Sequence, residues 1–352
     1  MVKSRSFRKT LMIIPETYTS ALLLIILTML CWGSWANTFK LAGKWRFELF
    51  YYDYSAGVLL AAIIAAVTFG SMGDGLVFAD NLQFAGKRNM AYALAGGVVF
   101  NLANMLLVAA ISVAGLAVAF PVGIGLALVV GVIWNYFLNP QGNPTLLAAG
   151  VALVVGAIIV DALAYGVQAR SQRAASGRKS SGAKGVSLSL ASGLLMGSFY
   201  PLVEMGKGRG PEAGGLGAYA VAFLFAIGVF VSTFVFNLYF LNFPVEGAPL
   251  SMVAYFRGNL KQHALGIAGG LIWCVGTISN FAAASAPKSV QIGPAISYAI
   301  GQGATMVSAL WGLLVWREFS GARSGVKVLL ALMLLLFLAG LILVSIAPLY
   351  AG

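Results

Sequence analysis

Charged side chains are scarce in this sequence. Asp, Glu, Lys and Arg together make up 9% of the 352 residues, whereas about a quarter of a soluble globular protein is charged. Hydrophobic residues account for 60% of the chain, and the mean hydropathy is +0.91. A soluble domain of this composition would expose large apolar patches and aggregate. The composition therefore excludes an ordinary soluble protein and is typical of a chain embedded in lipid.

Cysteine and histidine are almost absent too. The two cysteines, Cys31 and Cys274, both lie in apolar stretches, so we expect neither a disulfide framework nor a cysteine metal site. The single histidine, His263, is too few for a histidine metal site or a catalytic triad, and we interpret it as a loop or interface residue. The sequence thus predicts no metal, no cofactor and no enzymatic activity.

The motifs of several other protein classes are also missing. Residues 175–181 (ASGRKSS) lack the first glycine and the Gly-Lys-Ser/Thr pairing of a phosphate-binding loop. No apolar segment carries the repeated arginines of a voltage sensor. We attribute the net charge of +12 to loops near anionic lipid headgroups rather than to nucleic-acid binding. Nucleotide hydrolysis and nucleic-acid partners are therefore not expected.

Long apolar runs dominate what is present. A helix needs about 20 largely apolar residues to cross a bilayer, and the chain holds ten such stretches. They cover residues 17–39, 48–70, 89–112, 114–137, 145–166, 186–207, 215–242, 262–285, 289–316 and 325–348. The basic head before the first run resembles a signal peptide, but no small-residue cleavage site follows it. The predicted fold is an all-α polytopic membrane protein with ten transmembrane helices.

The two halves of the sequence resemble each other. Residues 95–100 (AGGVVF) recur as 268–273 (AGGLIW), and the same offset of 173 residues relates Pro121 to Pro294 without a gap. Chance similarity between glycine-rich membrane helices is the alternative explanation. Matches at a fixed offset favour an internal duplication.

A second match relates residues 30–35 (LCWGSW) to 194–199 (LLMGSF). The predicted organisation is a first five-helix repeat at 1–166, a central basic loop at 167–185 and a second five-helix repeat at 186–352. Because five is odd, the second repeat enters the membrane in the opposite sense. This predicts two inverted repeats of five, a common transporter architecture with the solute site near the midplane.

The distribution of basic residues bears on orientation. If the N-terminus is outside, the loops on the other side hold thirteen of the 22 Lys and Arg residues. The positive-inside rule then favours a cytoplasmic central loop with both termini outside, whereas the basic head at residues 3–9 favours the reverse. We predict a multi-pass protein of the cell (inner) membrane and leave the side of the N-terminus open.

Three carboxylates fall within or beside the apolar stretches: Asp53, Asp161 and Glu204. An ionisable residue inside a membrane span is a functional candidate. Asp53 and Glu204 are candidates for carrying a proton, and Pro201 close to Glu204 indicates a broken helix. The alternative for each is a carboxylate that faces water at a helix end, and for Asp161 we favour that alternative.

Neutral polar and aromatic residues form a second group of candidates. Amides supply paired donors and acceptors, and aromatic rings supply stacking surfaces, which is what a flat polar heterocycle or a sugar needs. The alternative is hydrogen bonding between helices, which membrane asparagines often provide. The predicted solute-binding residues are Trp32, Trp35, Asn101, Asn104, Asn280, Tyr298 and Gln302.

Five short motifs resemble a known family. They are CWGSW at 31–35, YDY at 52–54, TFG at 68–70, AGGVV at 95–99 and WNYFL at 134–138. Together they are similar to the ureide permease family of the drug/metabolite transporter superfamily, over most of the first half and weakly over the second. No single motif is specific, but the combination is.

The resemblance implies ten helices in two inverted repeats and proton-coupled uptake of ureides such as allantoin, or of uracil and xanthine. The family's central loop carries a phosphate-loop-like motif that this sequence lacks, which puts any regulation through that loop in doubt. Families with the same fold carry sugars, so a glucose or rhamnose transporter is an alternative, and a receptor or scaffold that transports nothing is another. The expected partners are a small-molecule substrate, protons and the lipid bilayer; a homodimer is left open.

Overall fold

Helices form the regular structure of the protein. The computed structural model describes residues 14–72, 77–114, 116–173, 182–245, 247–287, 289–317 and 320–350. Within these ranges there is no β-strand. The helices are, in chain order, α1 (Tyr18–Ser34), α2 (Ala36–Leu41), α3 (Phe47–Val67), α4 (Phe78–Phe84), α5 (Lys87–Ala114), α6 (Leu116–Leu138), α7 (Pro144–Arg173), α8 (Gly182–Lys207), α9 (Ala218–Asn242), α10 (Val253–Phe256), α11 (Leu260–Ala283), α12 (Pro294–Gly301), α13 (Ala304–Leu310) and α14 (Ser324–Ile346).

Nine segments of the described chain are long and apolar enough to cross a membrane. The first, Tyr18–Leu41, combines α1 with α2, and another, Pro294–Val315, combines α12 with α13 and the turn that follows. The apolar part of α6 is shorter, Val122–Leu138. These spans confirm the all-α polytopic membrane fold. The count of ten transmembrane helices stays a prediction, because the apolar part of α6 falls short of a full span.

Two of the predicted helices are interrupted. The first breaks after Ser34 and restarts at Ala36. The ninth consists of α12, α13 and a π-helical turn at Trp311–Val315, with the sequence Gly-Gln-Gly at 301–303 between α12 and α13. Glycine weakens a helix, and a broken helix presents backbone groups that are otherwise paired. Such breaks at the midplane are typical of solute sites in transporters.

The helices beside the central loop are longer than predicted. α7 continues to Arg173 and α8 begins at Gly182, so helix occupies much of the predicted loop at 167–185; residues 174–181 lie outside the described part of the chain. Asp161 is therefore about three turns from the end of α7. Its interpretation as a helix-end residue facing water is wrong, because it is only 5% exposed.

Helix contacts pair the first half of the chain with the second. α5 packs on α8 and α9, α6 packs on α8, and α7 packs on α14. In the same way, α11 packs on α1 and α3, and α13 packs on α1. Exchanging the equivalent helices of the two predicted repeats converts the contacts of α5 and α6 into those of α11 and α13, and it converts the contact of α7 with α14 into itself.

Glycine from the repeated AGG motif produces the tightest of these contacts. A Cβ added to Gly97 on α5 would lie 2.0 Å from the carbonyl oxygen of Phe225 on α9. A Cβ added to Gly270 on α11 would lie 2.0 Å from the carbonyl oxygen of Tyr54 on α3. Both motif glycines thus allow two backbones to touch, as small residues do where membrane helices pack closely.

A hydrogen bond recurs in the same way. The hydroxyl of Thr28 on α1 donates to the carbonyl oxygen of Gly276 on α11 at 2.8 Å. The hydroxyl of Ser192 on α8 donates to the carbonyl oxygen of Ala103 on α5 at 2.7 Å. The offset of 173 residues relates Ala103 to Gly276, and the offset of the GS motifs relates Thr28 to Ser192. Equivalent first helices therefore use equivalent hydroxyls.

The loops gather at two opposite ends of the bundle. At one, called the Arg46 end, the start of α3 meets the connection between α9 and α11, where Arg46 Nη1 donates to the carbonyl oxygen of Ala248 at 2.6 Å. At the other, called the Lys207 end, the last residue of α8 meets the end of α11. There Lys207 Nζ donates to the carbonyl oxygen of Ala284 at 3.2 Å.

Candidate functional site

Aromatic rings fill the centre of the bundle. Phe100 on α5 and Trp273 on α11 stack with their centroids 4.4 Å apart and their planes at 26°. These residues end the two AGG motifs, so equivalent positions of the two halves meet face to face. Tyr54 lies 6.4 Å from Trp273, and Phe225 lies 5.6 Å from Phe100. All four are at most 4% exposed.

A second layer of rings extends this stack. Trp35 packs on Tyr54 with centroids 4.8 Å apart, and Phe199 packs on Phe225 at 5.8 Å. Trp35 and Phe199 occupy the last positions of the other repeated motif. The set is named here the central aromatic cluster: Trp32, Trp35, Tyr54, Phe100, Phe199, Phe225 and Trp273.

The predicted site residue Trp32 completes the cluster. Its ring stacks on Trp273 at 6.1 Å with planes 11° apart, and its Nε1 donates to Thr277 Oγ1 at 3.0 Å. Gly301 leaves room for it, since a Cβ there would lie 2.9 Å from the Trp32 ring and 3.5 Å from Asn280 Nδ2. Trp32 and Asn280 therefore meet beside the break between α12 and α13.

Asn280 is held in a buried polar network. Its Oδ1 accepts hydrogen bonds from the Tyr200 hydroxyl at 2.5 Å and the Ser297 hydroxyl at 3.0 Å. Its Nδ2 lies 3.4 Å from the carbonyl oxygen of Ser297. The network joins α8, α11 and α12 and fixes the orientation of the Asn280 amide.

The two predicted residues of the ninth helix differ in their surroundings. Tyr298 is fully buried, and its hydroxyl donates to the carbonyl oxygens of Met196 at 3.1 Å and Ala127 at 3.4 Å. It therefore joins α12 to α8 and α6 with its own polar atom occupied. The half-buried side chain of Gln302, at the helix break, makes no hydrogen bond with the described residues.

The two asparagines of α5 point to different neighbours. Asn101 Nδ2 donates to Ser232 Oγ at 2.8 Å and Thr233 Oγ1 at 3.1 Å on α9. Asn104 Nδ2 donates to the Tyr51 hydroxyl at 2.9 Å on α3. Both amides therefore bond between helices, the alternative that the sequence left open.

Two buried polar atoms at the centre remain unpaired. Neither the hydroxyl of Tyr54 nor Oδ1 of Asn101 finds a hydrogen-bond partner among the described residues. Leaving a buried donor or acceptor unsatisfied costs about 1–3 kcal/mol. A solute with N–H and C=O groups would satisfy such atoms.

Asp53 lies apart from this cluster, at the Arg46 end. Its Oδ1 accepts a hydrogen bond from the Tyr255 hydroxyl at 2.6 Å, and its Oδ2 lies 2.8 Å from His263 Nδ1. Trp45 packs edge-on against the imidazole at 4.8 Å. Burial, and then the hydrogen bond to Asp53, raise the pKa of Tyr255 above its usual range, so Tyr255 is a hydrogen-bond donor here.

Glu204 has a cation beside it, at the opposite end. Lys207 Nζ lies 2.7 Å from Glu204 Oε1, one turn along α8. The same ammonium donates to the carbonyl oxygen of Ala284. The two side chains are 11% and 9% exposed. This carboxylate is therefore neutralised within its own helix.

A cavity of about 170 Å³ opens between α3, α5 and α9 at the Arg46 end. Met105 on α5 belongs to the wall of this cavity. The lining residues are Arg46, Phe47, Glu48, Met105, Val108, Ala109, Phe240 and Val245.

Several residues of these sites, Phe199 and Phe225 among them, were not predicted from the sequence. Phe100 and Trp273 could have been found, because they end the repeated motif and so map onto each other. Tyr54 and Tyr255 carry no such signal, since tyrosine is common near membrane interfaces. His263 was interpreted as a loop or interface residue, yet it contacts a buried carboxylate.

The ureide permease family model matches residues 50–187 and 163–347 of the chain. The chain belongs to the ureide permease family. Ureide permease 1 of Arabidopsis thaliana is 24% identical over 387 residues, which is 92% of this chain and 95% of that protein. Ureide permease 2 of the same plant is 24% identical over 403 residues, covering 93% and 97%. The probable ureide permease A3 of Vigna unguiculata is 32% identical over 115 residues, or 31% of each chain.

A solved crystal structure supports the fold of this family member. It matches with a TM-score of 0.60 and 16% identity, over 96% of this chain and 100% of its own. Family and helical bundle together identify a multi-pass membrane transport protein with a small-molecule substrate. The family predicted from the motifs is therefore confirmed.

Proposed function

We propose that this protein carries ureides and related flat heterocycles across the cell membrane by alternating access, with the central aromatic cluster as the solute site. The observation that carries the proposal is the stack of Phe100 on Trp273, which places equivalent residues of both halves at the centre of the bundle. Relatives named ureide permeases suggest the substrate class.

The chemistry of the cluster suits such a solute. A ureide has a flat ring with alternating N–H and C=O groups, and a flat ring stacks on aromatic planes. The unpaired Tyr54 hydroxyl can donate or accept, and the unpaired Asn101 Oδ1 accepts. Asn280, Trp32 and Gln302 lie beside the helix break.

Repeated contacts support the inverted-repeat organisation that alternating access needs. The equivalent glycine contacts of Gly97 and Gly270, and the equivalent hydrogen bonds of Thr28 and Ser192, are what two related five-helix units would produce. A second conformation then arises when the two units exchange their local arrangements. In the arrangement described, rings occupy the centre, so the solute enters as Phe100 and Trp273 separate.

Proton coupling is the second part of the proposal. A cell membrane with a proton gradient supplies the energy for uptake, and a buried carboxylate that changes charge supplies the coupling. Asp53 and Glu204 are the two candidates, each with a side chain at most 11% exposed.

Uptake into proteoliposomes tests the function. The purified protein should take up labelled allantoin with saturable kinetics, with unlabelled uracil and xanthine competing and glucose not. Trp273→Ala should raise KM by about two- to tenfold, since an aromatic stack contributes about 0.5–1.5 kcal/mol. Trp273→Phe keeps a ring and is the matched control, with KM close to that of the wild type.

Two outcomes contradict the proposal. Competition by glucose without competition by uracil or xanthine identifies a sugar transporter of the same fold. The absence of saturable flux for every solute in the panel indicates a receptor or scaffold.

A further inference from the structure

The contacts of Asp53 join two distant parts of the chain. Asp53 lies in the second turn of α3, whereas Tyr255 lies on α10 and His263 in the first turn of α11. Gly266, one turn further along α11, allows this approach, since a Cβ there would lie 2.4 Å from the Asp53 Cβ. The carboxylate therefore ties α3 to both helices that follow the long connection after α9.

The ionisable groups around Asp53 are few. Tyr255 faces it from α10 and His263 from α11, and Tyr52 on its own helix packs on the Tyr255 ring at 5.6 Å. Arg46, at the start of α3, is engaged by Glu48. In the part of the chain that the structure describes, no lysine or arginine pairs with Asp53.

This environment makes the charge of the pair depend on one proton. With Nδ1–H of His263 donating to Asp53 Oδ2, the other ring nitrogen can bind or release a proton. The pair is neutral when that proton is bound and carries one negative charge when it leaves. The Asp53 side chain is 5% exposed and the His263 side chain 24% exposed, so the imidazole is the route between the buried carboxylate and water.

The corresponding pair at the Lys207 end behaves differently. There Glu204 has a lysine beside it at 2.7 Å, and an ammonium keeps its proton at physiological pH, whereas an imidazole exchanges one. Glu204 thus has a lysine as its partner, on the same helix. The partners of Asp53 are a tyrosine and a histidine, and they lie on other helices.

We infer that Asp53 and His263 together bind the coupling proton, that Tyr255 is a positioning residue for Asp53, and that Glu204 does not carry the proton. The inference rests on the proposed function. With the proton bound, the pair is neutral, and moving α10 with its Tyr255 away from α3 leaves no net charge in a poorly solvated site. Without it, the charged carboxylate needs both donors, and the Arg46 end stays closed.

Two readouts in proteoliposomes test the inference with labelled allantoin. The first is exchange against unlabelled allantoin at equal pH on both sides, which needs no proton gradient. The second is accumulation driven by an imposed pH gradient. His263→Gln keeps a donor for Asp53 but cannot exchange a proton. The carboxylate then stays charged and the Arg46 end stays closed, so exchange and accumulation should both fall by about tenfold, the size of a typical coupling between two ligand sites.

Tyr255→Phe provides a second variant with all proton-binding atoms intact. Removing a donor to the carboxylate makes the charged form less favourable, so the pair holds its proton more tightly. The pH profile of exchange should then move to higher pH. A purely structural role would lower the rate at every pH without moving the profile.

The matched comparison is the double variant Glu204→Gln with Lys207→Gln, which removes the pair at the other end without leaving a lone charge. It should keep gradient-driven accumulation. The inference is overturned if this variant alone loses accumulation, or if His263→Gln and Tyr255→Phe both accumulate allantoin with the wild-type pH profile. Absence of allantoin exchange by the wild-type protein would instead contradict the proposed function.

Discussion

Single hydrogen bonds distinguish two buried tyrosines of α3. Tyr51 and Tyr54 lie one turn apart on α3, and both are fully buried. The hydroxyl of Tyr51 accepts a hydrogen bond from Asn104, whereas that of Tyr54 has no partner among the described residues. Burial without a partner destabilises the protein unless a ligand compensates for it, so the two hydroxyls should respond in opposite ways to removal.

Tyr54→Phe should leave stability unchanged or raise it, because it removes an unpaired buried hydroxyl. It should nevertheless raise the KM for allantoin about fivefold, the equivalent of one ordinary hydrogen bond to the solute. Thermal unfolding in detergent and uptake kinetics measure the two effects. Tyr51→Phe is the control and should lose about 1–3 kcal/mol, since it leaves Asn104 unpaired. A less stable Tyr54→Phe with an unchanged KM would contradict this prediction.

Some of the residues that lie at the centre of the bundle were among the candidates named from the sequence. Trp32 and Asn280 were predicted and meet beside Gly301. Asn101 and Asn104 were predicted to share one face of α5, but their amides bond to different helices, α9 and α3. Spacing along one helix places a side chain on a face; it does not identify the neighbouring helix, which depends on packing across the whole bundle.

At the level of helices, backbone contacts at glycine decide which pairs move together. The carbonyl of Tyr54 on α3 approaches Gly270 on α11, and that of Phe225 on α9 approaches Gly97 on α5. Interiors this densely packed do not deform continuously. The pairs α3–α11 and α5–α9 should therefore behave as rigid units.

Gly270→Ala should destabilise the protein by about 1–3 kcal/mol, as overpacking does, because its methyl group would lie 2.0 Å from the carbonyl oxygen of Tyr54. Gly97→Ala should have an effect of similar size. Gly325→Ala on α14 is the matched control, since nothing lies within 4 Å of the added carbon, and it should be within about 0.5 kcal/mol of the wild type. Equal melting temperatures for all three variants would contradict the close contacts.

The helix interruptions illustrate what hydropathy alone leaves out. The apolar run predicted at 289–316 contains α12 and α13, with the break at 301–303. A mean hydropathy taken over a window of residues reflects the polarity of side chains and not the flexibility of the backbone. It therefore treats Gly-Gln-Gly as mildly polar helix. In the same way, basic and serine-rich composition predicted a loop from residue 167, whereas α7 continues to Arg173.

At the scale of the whole molecule, the inverted repeat makes a prediction about sidedness. In a background without Cys31 and Cys274, single cysteines are placed at two exposed positions, Ser251 at the Arg46 end and Glu212 at the Lys207 end. A membrane-impermeant maleimide added to intact cells should label Glu212→Cys and not Ser251→Cys, because the positive-inside rule puts the basic loops in the cytoplasm. Permeabilised cells provide the control, in which both are labelled.

Labelling of both positions from outside would contradict the predicted crossing pattern. Labelling of Ser251→Cys alone would keep the inverted repeat and reverse the orientation, in agreement with the basic head at residues 3–9.

The helix pairs that the glycine contacts hold together do not coincide with the two halves of the chain. α3 belongs to the first half of the chain and α11 to the second, yet their backbones touch; the same holds for α5 and α9. Each rigid unit therefore contains one helix from each half of the chain, so neither half alone forms a complete unit. In an ancestor with only one such half, two copies would have had to pair to form these rigid units. Fusion of the two copies would then have joined two chains that already depended on each other for folding.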